Sequence, residues 1–149
     1  REKQKVKRMY GILERQFREY YEKAKKVEGA TGEQMLISIE CRLDNVVYRM
    51  GIGRSRKQAR QIVNHGLITV NGKRVNIPSY SVKVGDVIAI KENKQNNECF
   101  KDLKGSKIVM PKWLEFDTNT LSGKILALPM REDIDSDIKE QLIVELYSR

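Results

Sequence analysis

Between Arg54 and Gly66 the chain reads RSRKQARQIVNHG. Arg54, Arg56, Lys57 and Arg60 fall together in this stretch with no Asp or Glu among them. On a helix that opens at Ser55, Arg56 and Arg60 stand one turn apart on a shared face, and Lys57 flanks them. A guanidinium is a rigid fork of five donors that meets phosphate oxygens two at a time, so a set dominated by Arg suits a phosphate backbone. Like charges crowded on one helix weaken it slightly, and an opposing polyanion removes that penalty. Ala59, Ile62 and Val63 recur at helical spacing on another side, which gives the same helix a face with which to dock. Lys73 and Arg74 follow directly on an Asn71-Gly72 pair. Helix and basic hairpin together would hold two stretches of one nucleic-acid backbone. The plainer alternative is a solvated charged face, which most charge runs are.

No other stretch has the pattern of a reactive centre. There is no Gly-rich phosphate cradle, no Ser/His/Asp set and no nucleophilic Cys beside a His. Cys41 and Cys99 are far apart and in no CxxC pairing, and His65 has no Cys, His or paired carboxylate nearby. No catalytic residue, metal, cofactor or small-molecule substrate is therefore expected, and both thiols should be reduced and unpaired. The 149 residues carry a net charge of +9, with 33% charged and 40% hydrophobic residues. That apolar share can supply a core, and the positive excess calls for a polyanionic partner. No apolar run approaches the ~20 residues that span a bilayer, and the charged start has no signal-peptide core. The chain opens on Arg1 rather than Met, as a processed or shortened chain would. Tyr10, Tyr20 and Tyr21 lie in a basic region, where aromatic rings can stack on unpaired bases; this favours RNA over DNA. At helical spacing the same rings also serve as core.

Periodicity indicates the elements that would carry these residues. Val6, Tyr10, Leu13, Phe17, Tyr20, Ala24 and Val27 step by fours and threes as one apolar stripe, which Gly11 can split into two helices. Lys3, Lys5, Lys7, Arg8, Arg15 and Arg18 dominate the opposite side. Thr31 with Gln34 fits a capping box, after which Leu36, Ile39, Leu43, Val46 and Met50 read as one long helix ending at Gly51-Ile52-Gly53. Ser55 with Gln58 forms a second capping box, and Gly66 closes that helix. Asn71-Gly72 predicts a tight hairpin, because both central positions need φ > 0. A turn at Gly85-Asp86 leads to another strand, KENKQNNECFKDLKGS suggests one or two helical turns, and WLEFDTNTLSGKILALP a further hairpin. Ile138, Leu142, Ile143 and Leu146 form a terminal amphipathic helix. Its stripe has no neighbour in sequence, so it could return to the N-terminal helices and leave the strand-rich centre as an inserted second domain.

Across CRLDNVVYRMGIGRSRKQARQIVNHGLITVNGKRVNIPSYSVKVGD, and again in REKQKVKRMYGILERQFREYY and LIVELYSR, the sequence resembles the bacterial-type family of small-subunit ribosomal protein four. The resemblance runs over essentially the whole chain. It implies an α+β fold: an all-helical domain from both chain ends (residues 1–43 and 131–149) and an inserted RNA-binding domain of helices with a small antiparallel sheet (residues 44–130). It implies a non-enzymatic structural constituent of the small ribosomal subunit in the cytoplasm, bacterial or organellar, without membrane association. The family is a primary binder of 16S rRNA that nucleates assembly of the 5′ domain. It lies near the mRNA entrance beside ribosomal protein five of the same subunit, where the interface affects decoding accuracy, and in several bacteria it represses its own operon mRNA. Matched position by position, the resemblance implies RNA contacts at Arg54, Arg56, Lys57, Arg60, Gln61, His65, Lys73 and Arg74 in the module. It implies others at Arg8, Tyr10, Arg15 and Arg18 in the N-terminal helices, and at Arg42 and Arg49 flanking the long helix. His65 becomes an RNA or structural contact rather than a ligand. The family also carries an N-terminal arm of some tens of residues that this sequence does not include, so RNA binding by this chain is expected to be weaker than with the arm.

Pseudouridine synthases and tyrosyl-tRNA synthetases carry a similar module, but each needs a catalytic domain for which no segment here is long enough. A heat-shock ribosome-rescue protein with the module would lack LERQFREYY and LIVELYSR. A DNA-binding regulator is the remaining alternative, and competition between junction RNA and duplex DNA separates it.

Overall fold

The computed structural model describes residues 1–148. Its helices are α1 (Glu2–Tyr10), α2 (Glu14–Lys25), α3 (Thr31–Glu40), α4 (Leu43–Arg49), α5 (Arg56–Asn64) and α6 (Glu140–Tyr147). Its strands are β1 (Ile68–Val70), β2 (Lys73–Arg74), β3 (Val87–Ile90), β4 (Leu114–Asp117) and β5 (Ser122–Ile125). The fold is α+β, and it divides into two compact units: residues 1–40 with the segment from Pro129 onward, and residues 41–128.

The first unit is helical. Gly11 ends α1 in the left-handed region at φ 68°, and the stripe changes phase across it. Ile12 and Tyr21 are buried where Leu13 and Tyr20 were expected; Leu13 is 70% exposed, Val27 is exposed and Tyr20 is half-buried. The left-handed residue rotates α2 relative to α1, so a count carried straight through the break points to the wrong neighbours. Thr31 is the first helical residue of α3 rather than its cap, and the Gln34 N–H donates to the Ala30 carbonyl at 3.0 Å. Helix α6 returns to α1 and α3, with Ile138 and Ile143 in the common core. Leu142 and Leu146 are exposed instead, and Val144 and Tyr147 pack on that core. The Tyr147 ring lies 4.7 Å from Tyr21, and its hydroxyl donates to Glu14 at 3.1 Å. Arg131 fastens the return: Nε and Nη2 bond the Glu140 carboxylate at 2.8 and 3.1 Å, while Nη2 and Nη1 reach the carbonyls of Ile138 at 2.7 Å and Ile134 at 3.1 Å.

The expected single helix from Leu36 to Met50 is two helices. Arg42 is extended (φ −64°, ψ 142°) and pairs antiparallel with Ser81. The Leu43 N–H donates to the Tyr80 carbonyl at 2.8 Å, and the Val82 N–H to the Cys41 carbonyl at 3.0 Å. Leu36, Ile39, Leu43, Val46 and Met50 are all buried, but only Leu36 and Ile39 belong to the first unit's core. One period served two cores, which is why it read as one helix.

In the second unit α4 packs on α5. Gly53 permits that packing, since a Cβ there would lie 2.8 Å from the Ala59 Cα. The five-stranded sheet is antiparallel in the order β2-β1-β3-β5-β4. Asn71 (φ 52°) and Gly72 (φ 84°) form the hairpin turn with both residues left-handed, as the dipeptide predicts. The polar stretch after β3 makes two short 3-10 turns, Glu92–Lys94 and Glu98–Phe100.

Candidate nucleic-acid interface

The start of α5 sets the phase of its basic residues. The Ser55 hydroxyl accepts from the Gln58 N–H at 3.0 Å, and the Gln58 side chain accepts from the Arg54 N–H at 2.6 Å, one residue before the cap. With that start fixed, Ala59, Ile62 and Val63 are buried. Lys57, Gln61 and His65 occupy the exposed face, and Arg56 and Arg60 lie half-buried on its flank.

Both being half-buried corrects the expectation that Arg56 and Arg60 face outward together, and Arg56 is the clearer case. Its Nε donates to Asn45 Oδ1 at 3.0 Å, and its guanidinium sits 4.6 Å from the centroid of the Tyr48 ring. Arg56 therefore ties α5 to α4 while holding its fork in a fixed orientation. Arg54 is exposed and pairs with exposed Asp102 at 3.2 Å, a contact of the kind that contributes little and exchanges readily. Arg49 and Arg54 line a shallow depression with Tyr48, Ile108, Val109 and Pro111.

The hairpin brings its cations to the far end of α5. Lys73 and Arg74 are exposed. The Arg74 side chain lies over Gly66, where a Cβ would come within 2.2 Å of its Nε. A guanidinium there stands beside the C-terminal end of α5, where the helix dipole favours a cation. Lys57, Gln61, His65, Arg74 and Lys73 thus form a strip along the helix and onto the hairpin.

Two of the sequence-derived positions are buried. Tyr10 is 2% exposed and its hydroxyl donates to Glu40 Oε2 at 2.7 Å, so its ring has no free face for a base. Arg42 is 1% exposed, and its Nε and Nη2 reach the Asp44 carboxylate at 3.1 and 3.0 Å. Its fork is taken inside the second unit, because the extended backbone at Arg42 turns the side chain inward. Arg8, Arg15 and Arg18 are exposed on α1 and α2, and Tyr21 is buried. The sequence reading missed Asn45 and Tyr48, which orient Arg56. It placed Asn71 and Asp86 at turns through the Asn-Gly and Gly-Asp pairs, but not as side chains bonded to each other.

Among the described residues no group of three or more His, Cys, Asp or Glu could hold a metal ion, and no helix is long and apolar enough to cross a membrane. Cys41 is buried and Cys99 exposed, neither of them in a disulfide; partial burial pushes the Cys99 thiol pKa up.

A family model described as the S4 domain matches residues 41–88, and one described as the ribosomal protein S4/S9 N-terminal domain matches residues 1–40. The small ribosomal subunit protein uS4 of Ruminiclostridium cellulolyticum is 59% identical over 152 residues, covering 100% of this chain and 73% of its own length. The protein of the same name from Acetivibrio thermocellus is 60% identical over 151 residues with the same coverage. That from Clostridium tetani is 54% identical over 149 residues, covering 100% of this chain and 72% of its own length.

Proposed function

Because the chain belongs to the uS4 family of small ribosomal subunit proteins, structural components of the ribosome rather than enzymes, we propose that it binds 16S rRNA directly as a primary binder and nucleates assembly of the 5′ domain. The carrying observation is the placement of Lys57, Gln61 and His65 on the exposed face of α5, with Arg74 at its C-terminal end. A basic strip on a rigid helix-and-hairpin scaffold suits a phosphate backbone, and the charge of +9 supplies long-range attraction. Arg8, Arg15 and Arg18 on the first unit, and Arg49, Arg54, Arg56, Arg60 and Lys73 on the second, complete the proposed contact set. Tyr10 and Arg42 are left out of it because they are buried. In the assembled subunit the protein lies beside ribosomal protein five and bears on decoding accuracy. Its own operon mRNA is a second RNA for the same surface. Hydroxyl-radical footprinting on 16S rRNA tests the reading: protection confined to the 5′ domain supports it. Protection scattered along the rRNA, or equal competition by duplex DNA, would falsify it.

A further inference from the structure

The Lys73–Arg74 hairpin has little apolar packing of its own: β2 is two residues long and both are exposed. Its turn is held by polar contacts. The Asn71 N–H donates to the Val87 carbonyl at 2.8 Å, and the Val87 N–H returns a bond to Asn71 Oδ1 at 2.9 Å. Asn71 Nδ2 donates to Asp86 Oδ1 at 3.0 Å, and Asp86 Oδ2 accepts from the Lys83 N–H at 2.8 Å. Asp86 is buried and itself fixed: its N–H donates to the Lys83 carbonyl and its carbonyl accepts from the Ile125 N–H, each at 3.0 Å. One anchored carboxylate thus connects the hairpin turn to the Lys83–Asp86 turn and to the end of β5.

We propose that Asn71 and Asp86 are positioning residues for RNA recognition, a latch that holds the Lys73–Arg74 hairpin where Arg74 can lie across Gly66. The proposal rests on the reading that this basic surface binds rRNA. The chemistry needs one amide and one carboxylate. Asn71 must both donate and accept, while Asp86 must accept twice. Two amides at these positions leave a donor facing a donor, and two carboxylates leave no donor between them. Exchanging the pair satisfies every bond: a carboxylate at position 71 accepts from the Val87 N–H and from an amide at position 86, whose oxygen still takes the Lys83 N–H.

The exchange separates the latch from plain charge. Asp86→Asn makes the protein more positive, so electrostatics alone predicts tighter RNA binding, whereas the latch predicts binding weaker by roughly threefold or more, as for neighbours in one hydrogen-bond network. Adding Asn71→Asp to that variant places a carboxylate on a phosphate-binding face, yet affinity should return to near the parent's. The measurement is titration of the full chain with a 5′-domain rRNA fragment, with amide hydrogen exchange at Val87 and Lys83 reporting the latch independently. Lys73→Ala with Arg74→Ala is the reference, and if it binds as the parent does, the RNA reading of this surface has failed and the latch proposal with it. If the reference weakens binding but Asp86→Asn binds as well as the parent, or the exchanged pair recovers exchange protection without affinity, the latch proposal alone is overturned. Should Asp86→Asn fail to fold, Asn71→Gly removes the same amide at a left-handed position that Gly accepts, and is expected to weaken binding likewise.

Discussion

Replacing Lys57 by Glu and replacing Arg56 by Glu are expected to fail in different ways. Lys57 is exposed on the outer face of α5, so Lys57→Glu should change stability by about 0.5 kcal/mol or less while weakening rRNA binding. Arg56 bonds Asn45 and covers the Tyr48 ring, so Arg56→Glu should also cost about 1–2 kcal/mol in thermal melting. Equal melting temperatures for the two variants would show that the Arg56 contacts contribute nothing. Ile62 is the apolar counterpart: Ile62→Val should cost about 0.5–1.5 kcal/mol and spare binding, and Ile62→Asp several kcal/mol by burying an unpaired carboxylate. At this scale the sequence shows which residues are basic but not which cations are already taken. Arg42 and Arg8 look alike in the chain, yet Arg8 is exposed while Asp44, two residues from Arg42, removes that fork from the surface.

Among the elements, two glycines give contrasting tests. Gly11 has a left-handed backbone and open space around its missing Cβ, so Gly11→Ala should cost about 1–2 kcal/mol of backbone strain alone. At Gly53 the obstacle is Ala59 backbone at 2.8 Å, so Gly53→Ala should force α4 and α5 apart and cost about 1–3 kcal/mol. Thermal melting checks both, and adding Ala59→Gly should rescue little at Gly53, because it removes the Ala59 Cβ at 2.9 Å but leaves the Ala59 N and Cα at 2.8 Å. Acid acts on the attachment of α6. The Arg131 bond holds the Glu140 carboxyl below its ordinary value against the opposing pull of burial. Burial raises the Glu14 carboxyl too, but bonds from Lys3 and Tyr147 carry it below its ordinary value. A depressed folded pKa stabilises above the unfolded value and is lost as pH falls through the folded one, so protection of α6 should decline below about pH 4.5. Amide hydrogen exchange at Ile143 checks this, and Glu140→Gln should flatten that acid limb. The strand signals were legible because Asn71-Gly72 and the alternation of β4 and β5 are local. The break at Cys41-Arg42 was not, because its cause is a backbone pairing with Ser81 far along the chain. The terminal helix was legible as helix but not in its buried face, which depends on α1 and α3 lying against it.

For the whole molecule, the excess of charge sets the conditions under which binding is seen. A protein that neutralises about 6–10 phosphates should lose roughly 10³–10⁵ in affinity between 50 and 200 mM salt, and a salt-independent constant would exclude phosphate contact as the main term. Cys41 and Cys99 have no place in that account, so replacing both by Ser, or adding a chelator, should leave the same salt curve. The interleaving of the two units has a further consequence, in time rather than space. A chain is made from its N-terminus at about 5–20 residues per second, and the units do not finish in that order. Residues 41–128 are complete while Gly32 still waits for the Glu140 and Val144 side chains that will lie against it. Until α6 emerges, Val6, Met35 and Ile39 lack the segment carrying Ile138 and Ile143 that closes their core. A nascent chain halted after Leu128 should therefore display a protease-resistant centre and a sticky, unfinished beginning, and holdase chaperones should engage its first forty residues rather than the segment most recently made.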